Sequence, residues 1–423
     1  MEKIAFVFPG QGVQFVGMSK KLCEEYRVAD ETFSMANSVL GKDIRKICFE
    51  GSLTALNDLE NLFPIILTNG VATYNAFMQD IGIRPQFCVG HSLGEITALV
   101  CAGVLDFSDA LALTALRGRL AKQVADNGKT GMTILDKVPY ETIEAECAKI
   151  RESGFYAAVS CYNTPQQTAV SGETEALKQL EKFAIKRHGT VNPIYGGAPL
   201  HSTLMNGVAE DFAADLEGRP VHPFLYPVVF NTTAQPSVDP AGVRGLMVRQ
   251  LYSPVLWQNS LELLVRYGIN VLIEMGPKPV WQNDIKLFYP DVHTFCFGQQ
   301  KDREEFRRFL NGKPHLLKEK GNLITRCLAA AVSTPNANWD NEAYREGVVR
   351  PYEEICKIDL EVEKCGGTPT PTQTNDAMAY IRQILDTKKV APDEKTYCLG
   401  GILNQAGYCG LARTAFGKES QCI

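Results

Sequence analysis

The chain has 423 residues, of which 45% are hydrophobic and 22% charged, the composition of a globular protein with room for about two to three domains. A net charge of −5 gives no basic footprint for nucleic acid, and no apolar run is long enough for a signal segment or a membrane span. A cytoplasmic protein is therefore expected, with no membrane and no nucleic acid as partner. The 13 cysteines are scattered singly, without a Cys-x-x-Cys pair or zinc spacing, so reduced, mostly buried thiols and no metal site are expected.

The apolar run Ile4 to Phe8 reads as a buried first strand, ended by the glycine-rich turn Pro9-Gly10-Gln11-Gly12. Such turns at strand C-termini face the ligand crevice of open α/β sheets. Helical spacing follows over Met18 to Tyr26, Asp30 to Leu40 and Asn61 to Met78, the last with Pro64 near its beginning, where a missing amide does least harm. Phe87 to Val89 then reads as the end of a strand, and Glu95 to Ala102 as a helix that starts at once.

Between them stands Gly90-His91-Ser92-Leu93-Gly94. A Gly-x-Ser-x-Gly at a strand-to-helix junction has the form of a nucleophile elbow: the glycines allow a turn too tight for side chains, and the hydroxyl projects above the sheet at a helix N-terminus. By itself the stretch points to an activated serine in any of several hydrolase-like enzymes, and a chance pentapeptide in a glycine-bearing loop is the alternative.

Phe107 to Val124 reads as a helix bearing Arg117 and Arg119. Between about 130 and 199 the texture changes: short strands at Met132 to Leu135, Ala157 to Ser160 and Thr168 to Gly172 alternate with helices at Tyr140 to Glu152 and Thr174 to His188. That alternation fits a small α+β insertion of ferredoxin-like kind. His201 is expected to open a helix to Leu216, followed by a strand at Val228 to Asn231, a helix at Val243 to Leu251, and strands at Val271 to Pro277 and Val292 to Phe297. Beyond Lys301 come a charged helix, Asp302 to Leu310, an apolar-faced one, Asn322 to Val332, a linker, Gly366 to Thr372, and an amphipathic helix, Ala377 to Leu385.

Six motifs occur together in a particular order and spacing: Phe8-Pro9-Gly10-Gln11-Gly12, Gly90-His91-Ser92-Leu93-Gly94-Glu95, Arg117-Gly118, Asn163-Thr164-Pro165-Gln166-Gln167 with Val170-Ser171-Gly172, His201-Ser202, and Glu274-Met275-Gly276-Pro277. In this the chain resembles the malonyl-CoA:acyl-carrier-protein transacylase family and the acyltransferases of polyketide synthases, over about residues 1 to 310. The resemblance implies an α/β fold: a large doubly wound, α/β-hydrolase-like domain (1–128 and 200–310) carrying an inserted ferredoxin-like subdomain (129–199). A mostly helical C-terminal extension (311–423) lies beyond the resemblance, and its helices either pack on the main domain or face a synthase partner.

The resemblance also implies a reaction: malonyl passes from malonyl-CoA, a substrate with no bound cofactor, through a Ser92 acyl-enzyme to the phosphopantetheine thiol of an acyl carrier protein. The chain would act in trans for fatty acid or polyketide synthesis, with a polyketide synthase as a further partner in the second case. A serine hydroxyl needs a neighbouring base, and His201 holds the family's base position; His91, His188, His222, His293 and His315 are read as surface or structural. A carbonyl near Gln250 orients the imidazole. The backbone amides of Gln11 and Leu93 form the oxyanion hole. Arg117 grips the terminal carboxylate of the acyl group, as a planar guanidinium can do bidentately. Two departures bear on the acyl group: Phe63 stands where the family usually has glutamine, and Gly197-Ala198-Pro199-Leu200 replaces the signature that ends in Ala-Phe or Ala-Ser in polyketide acyltransferases. A 2-substituted malonyl group is thus an alternative substrate, and a proofreading hydrolase on the same fold an alternative activity, although Arg117 argues against the latter.

Overall fold

The computed structural model describes residues 2–125, 128–194, 196–311, 313, 323–364 and 369–405. The chain divides into two compact units, Met1–Ala76 with Arg84–Arg308, and Phe77–Ile83 with Phe309–Ile423. Among the described residues no helix is long and apolar enough to cross a membrane.

The first unit is built on a six-stranded sheet. Its strands are β1 (Ile4–Phe8), β2 (Phe87–Gly90), β7 (Val228–Phe230), β8 (Gln235–Ser237), β9 (Val271–Glu274) and β10 (His293–Cys296), in the order β10-β9-β1-β2-β7-β8. All neighbours pair in parallel except β7 and β8. A parallel sheet covered on both faces asks for continuous apolar runs, not alternation, and the runs Ile4–Phe8 and Val271–Glu274 are buried at every position. From β1 the chain moves to β2 on one side, and from β9 to β10 on the other. Their C-terminal ends therefore border a crevice, as in other open α/β sheets. A side chain on Gly276, after β9, would lie 2.6 Å from Pro9 Cγ, after β1, so the two loops meet there.

The region between β2 and β7 holds a second, antiparallel sheet: β3 (Thr130–Asp136), β4 (Ala157–Thr164), β5 (Gln167–Glu173) and β6 (Thr190–Ile194), in the order β4-β5-β3-β6. With helices Tyr140–Glu152 after β3 and Thr174–Lys186 after β5, this is the ferredoxin-like β-α-β-β-α-β arrangement. The strand β6 was not foreseen in the sequence, because Thr190–Ile194 contains Pro193 and its residues are exposed or half-buried; a proline demotes a strand reading unless the strand lies at an edge, as β6 does. One face of this sheet carries Leu135, Val159 and Val170 against its two helices. The other presents Met132, Ile134 and Cys161 to a core around Trp257, Leu264 and Trp281.

Apart from the two helices on the small sheet, the longer helices up to Asn311 are Arg27–Leu40, Leu59–Asp80, Leu93–Cys101, Phe107–Ala125, Asn206–Glu217, Val243–Tyr252, Trp257–Arg266 and Gln300–Asn311. Pro64 lies beyond the first turn of its helix, so one interior helical bond is missing there. Short helices at Ile44–Glu50, Leu53–Asn57 and Gln282–Phe288 went unread because each is too brief to show a period.

His201 does not open a helix: it has φ +58°, a left-handed conformation incompatible with α-helix, and the helix begins only at Asn206 after a 3₁₀ turn at Thr203–Met205.

The second unit is helical, with segments Leu323–Ser333, Asn341–Tyr344, Arg350–Lys364, Pro371–Thr387 and Pro392–Gln405. Ile324, Ile355, Ile381, Ile384 and Leu385 are fully buried at its core. Lys388, 4% exposed, donates to the Ala331 and Thr334 carbonyls at 2.6 and 2.7 Å and so closes the end of the first segment. The expected linker is corrected in its last part: Thr370 and Gln373 form a capping box and Pro371 starts a helix. Its residues 366–368, like Asn322 and His315, lie outside the described residues.

The helix Phe107–Ala125 crosses the start of Leu59–Asp80 at Gly118, where a side chain would lie 2.3 Å from the Leu59 carbonyl oxygen. Gly118→Ala should destabilise the protein by about 1–3 kcal/mol through forced separation of these helices, read as a lower Tm in calorimetry; an unchanged Tm would mean that they separate at no cost.

Candidate active site

Ser92 sits between the end of β2 and the helix Leu93–Cys101 with φ +53° and ψ −112°. A non-glycine residue there carries strain of about 1–3 kcal/mol, and it persists because its surroundings leave no room to relax. A side chain on Gly90 would lie 2.0 Å from the Gly94 carbonyl, and one on Gly94 2.0 Å from Phe8 O. The elbow thus rests directly on β1, and the His91 N–H donates to Phe8 O at 2.9 Å.

Ser92 Oγ lies 2.6 Å from His201 Nε2, and His201 Nδ1 lies 2.7 Å from the Gln250 backbone carbonyl. A carbonyl can only accept, so Nδ1 carries the hydrogen and Nε2 is left to accept from the serine. It is the main chain of Gln250 that holds the imidazole. The left-handed His201 is itself fixed from several sides: its N–H donates to Leu251 O at 2.8 Å, Ser171 Oγ donates to Leu200 O at 2.7 Å, and the Thr203 N–H donates to the Tyr156 hydroxyl at 3.2 Å. Two of these partners, Ser171 and Tyr156, come from the ferredoxin-like subdomain, which thereby braces the histidine loop.

Burial and the nearby Arg117 cation hold the His201 pKa down at about 3, so the ring is neutral and able to accept a proton across the ordinary pH range. Arg117, on the helix Phe107–Ala125, is 1% exposed, with Nη2 3.4 Å from Ser92 Oγ. Its Nε and Nη1 are buried and make no hydrogen bond among the described residues. Its guanidinium carbon stands 5.6 Å from the centre of the Phe63 ring, a cation–π contact that leaves the in-plane N–H groups free. Burial lowers the Arg117 pKa to about 10, which leaves it charged. The buried Glu95 borders the same small cavity, with apolar walls from Ile96, Phe212, Met247 and Leu251; burial raises its pKa to about 8. A buried cation with unsatisfied donors is costly, and the chemistry that relieves it is an anion with two oxygens.

The Gln11 loop and Leu93 lie on either side of the elbow, and neither amide N–H donates to any acceptor among the described residues. Free N–H groups after β1 and after the serine are the donors that an oxyanion needs. Gln250 Nε2 donates to Ser92 O at 3.0 Å.

Two residues that the sequence did not single out complete the setting. Asn231, fully buried just past β7, accepts the Ser92 N–H at 2.8 Å, and Glu95 Oε2 accepts the Asn231 N–H at 2.6 Å. The available signal was a polar residue at the C-terminal end of a parallel strand, where crevice residues stand. His91 is structural, as expected: its Nε2 lies 2.9 Å from Asn163 Oδ1, and its ring packs 4.9 Å from that of Trp281. Burial lowers its pKa to about 4.

Residues 5–300 match the acyl transferase domain family. A malonyl CoA-acyl carrier protein transacylase of Bacillus subtilis is 32% identical over 365 residues, covering 86% of this chain and 91% of that protein. One from Haemophilus influenzae is 36% identical over 313 residues, 73% of this chain and 100% of that protein. Among solved structures, FabD from Acinetobacter baumannii superposes with a TM-score of 0.69 at 31% identity, over 73% of this chain and 98% of that one. A malonyl transacylase in complex with a type II polyketide synthase acyl-carrier protein does so with the same TM-score and identity, over 71% and 97%.

The depressed His201 pKa gives a pH prediction. The base form persists above the pKa, so Ser92 acylation should show no acid limb near pH 6.5. In Arg117→Ala the cation that lowers the pKa is gone and the limb should move upward, which acylation by p-nitrophenyl acetate across pH would read. A wild-type limb at pH 6.5 would contradict the lowering of the His201 pKa by burial and Arg117.

Proposed function

The chain belongs to the acyl transferase domain family, and on that premise we propose that it moves a malonyl group from malonyl-CoA to the phosphopantetheine thiol of an acyl carrier protein. The observation that carries this reading is the buried Arg117 guanidinium, with two unsatisfied N–H-bearing nitrogens, beside Ser92 Oγ. A plain fatty acyl chain would leave that charge unmet, whereas the free carboxylate of a malonyl thioester fills it bidentately.

The reaction runs in two halves. Ser92 Oγ attacks the thioester carbonyl while His201 Nε2 takes its proton, and the oxyanion that forms lies between the Gln11 and Leu93 amides, each worth about 2.7–4 kcal/mol to the transition state. Collapse breaks the C–S bond, and the His201 proton goes to the departing coenzyme A sulfur. In the second half His201 takes the proton of the carrier's thiol, the thiolate attacks the Ser92 ester, and the same proton returns to Ser92 Oγ. Arg117 holds the carboxylate throughout. Phe63, 1% exposed and facing the guanidinium, supplies no polar group there, so Arg117 is the charge partner for the carboxylate. No bound cofactor takes part. The carrier thiol feeds fatty acid or polyketide synthesis, and cysteines such as Cys88 and Cys161, buried within the fold, suit a reducing compartment such as the cytoplasm.

Ser92→Ala should abolish the covalent malonyl-enzyme seen by intact mass after incubation with malonyl-CoA; an undiminished adduct would displace Ser92 as nucleophile. Arg117→Ala should lose about 2–5 kcal/mol in kcat/KM for malonyl-CoA, the cost of truncating one partner of a buried charge pair, while acetyl-CoA loses far less. Equal losses for the two thioesters would remove the carboxylate role.

A further inference from the structure

We propose that the side-chain amides of Asn231 and Gln250 form a clamp on the backbone on both sides of Ser92, Gln250 on the Ser92–Leu93 peptide and Asn231 on the peptides before it, that aims the Leu93 N–H at the oxyanion. The proposal rests on Ser92 being the nucleophile. A peptide group is planar, so whatever fixes the Ser92 carbonyl also fixes the Leu93 N–H on the opposite side of the same plane. That carbonyl accepts from Gln250 Nε2 at 3.0 Å and from the Glu95 N–H at 3.0 Å. The two peptides before it are held as well: Asn231 Oδ1 accepts the Ser92 N–H at 2.8 Å, and Asn231 Nδ2 donates to Gly90 O at 2.6 Å.

The two amides also bind each other, with Gln250 Nε2 donating to Asn231 Oδ1 at 3.1 Å. Their orientations are mutually determined, since flipping either would set donor against donor or acceptor against acceptor. Asn231 is anchored in turn by its own N–H on Glu95 Oε2 and by the Leu256 N–H on its carbonyl at 2.9 Å. The clamp and the base converge on Gln250 by different groups. Its main-chain carbonyl holds His201 Nδ1, and its side chain holds the serine peptide. These buried bonds hold Ser92 at its strained dihedrals without using the Leu93 N–H, which stays free for the substrate.

The division of Gln250 into two functions gives the test. Gln250→Met keeps the main-chain contact to His201 and deletes the amide; Asn231→Leu deletes both the acceptor for the Ser92 N–H and the donor to Gly90 O without adding a charge. Each is compared with wild type by thermal melting, by pre-steady-state acylation of Ser92 with malonyl-CoA and with p-nitrophenyl acetate, and by the pH profile of acylation. The expected result is a fall of about 10- to 100-fold in the acylation rate constant with both acyl donors, below the full loss of an oxyanion donor. The KM for malonyl-CoA should stay within about twofold, and the acid limb should not move. An unchanged rate constant in a folded Gln250→Met overturns the clamp. So does a loss confined to malonyl-CoA, which would place the amide in carboxylate binding, or a shifted acid limb, which would place its effect on His201. Should Gln250→Met fail to fold, the same outcomes are read from Asn231→Leu. If wild type is acylated by p-nitrophenyl acetate and not by malonyl-CoA, the substrate reading fails while the clamp is still judged on the ester.

Discussion

The structure of the site depends on one steric constraint, the close approach of the backbone around Ser92 to β1. Gly90 and Gly94 leave no space for a side chain against each other and against Phe8 O, so the turn can exist only with glycine at both places. That contact sets the height of Ser92 Oγ above the sheet and brings it beside the loop that contains Gln11. Once the elbow is fixed, the other groups need only reach one point. His201 arrives from a left-handed turn, Arg117 from a neighbouring helix, and Asn231 and Gln250 from opposite ends of the segment after β7.

Burial gives these groups their chemical character. The same desolvation that makes His201 a neutral acceptor leaves Arg117 a charged group with unsatisfied donors. The two effects reinforce each other, because the Arg117 cation also disfavours a proton on His201. A carboxylate bound at Arg117 would compensate that cation and ease protonation of the imidazole when Ser92 releases its proton. Substrate charge and base strength are in this way linked through one arginine, and Phe63 keeps its ring, instead of a polar group, next to that charge.

The ferredoxin-like subdomain has a mechanical part in the same arrangement. Ser171 and the Tyr156 hydroxyl reach the loop around His201, and Asn163 reaches His91 beside the nucleophile. An insertion that contributes neither the proposed nucleophile nor the proposed base therefore still determines how well they are aligned. The two halves of the unit share a core in which Met132, Ile134 and Cys161 meet Trp257 and Trp281, so the alignment rests on apolar packing as well as on hydrogen bonds.

The sequence by itself carried what local chemistry and periodicity encode. The run Ile4–Phe8 could be nothing but a buried strand, and Gly90-His91-Ser92-Leu93-Gly94 announced a tight turn with an exposed hydroxyl. The spacing of the six motifs carried the family, and the resemblance supplied the roles proposed for Ser92, His201, Arg117, Gln11, Leu93 and Gln250. What it could not carry were features whose cause lies elsewhere in the chain. The left-handed turn at His201 is imposed by bonds from Leu251, Ser171 and Tyr156, and no local preference foretells it. Asn231 and Glu95 are separated by 136 positions, and their pairing exists only because β2 and β7 are neighbours. The edge strand β6 forms despite Pro193 because β3 presents a free edge to it. Residue types and short-range patterns are properties of the chain, but the partner that each buried polar group finds is a property of the folded whole.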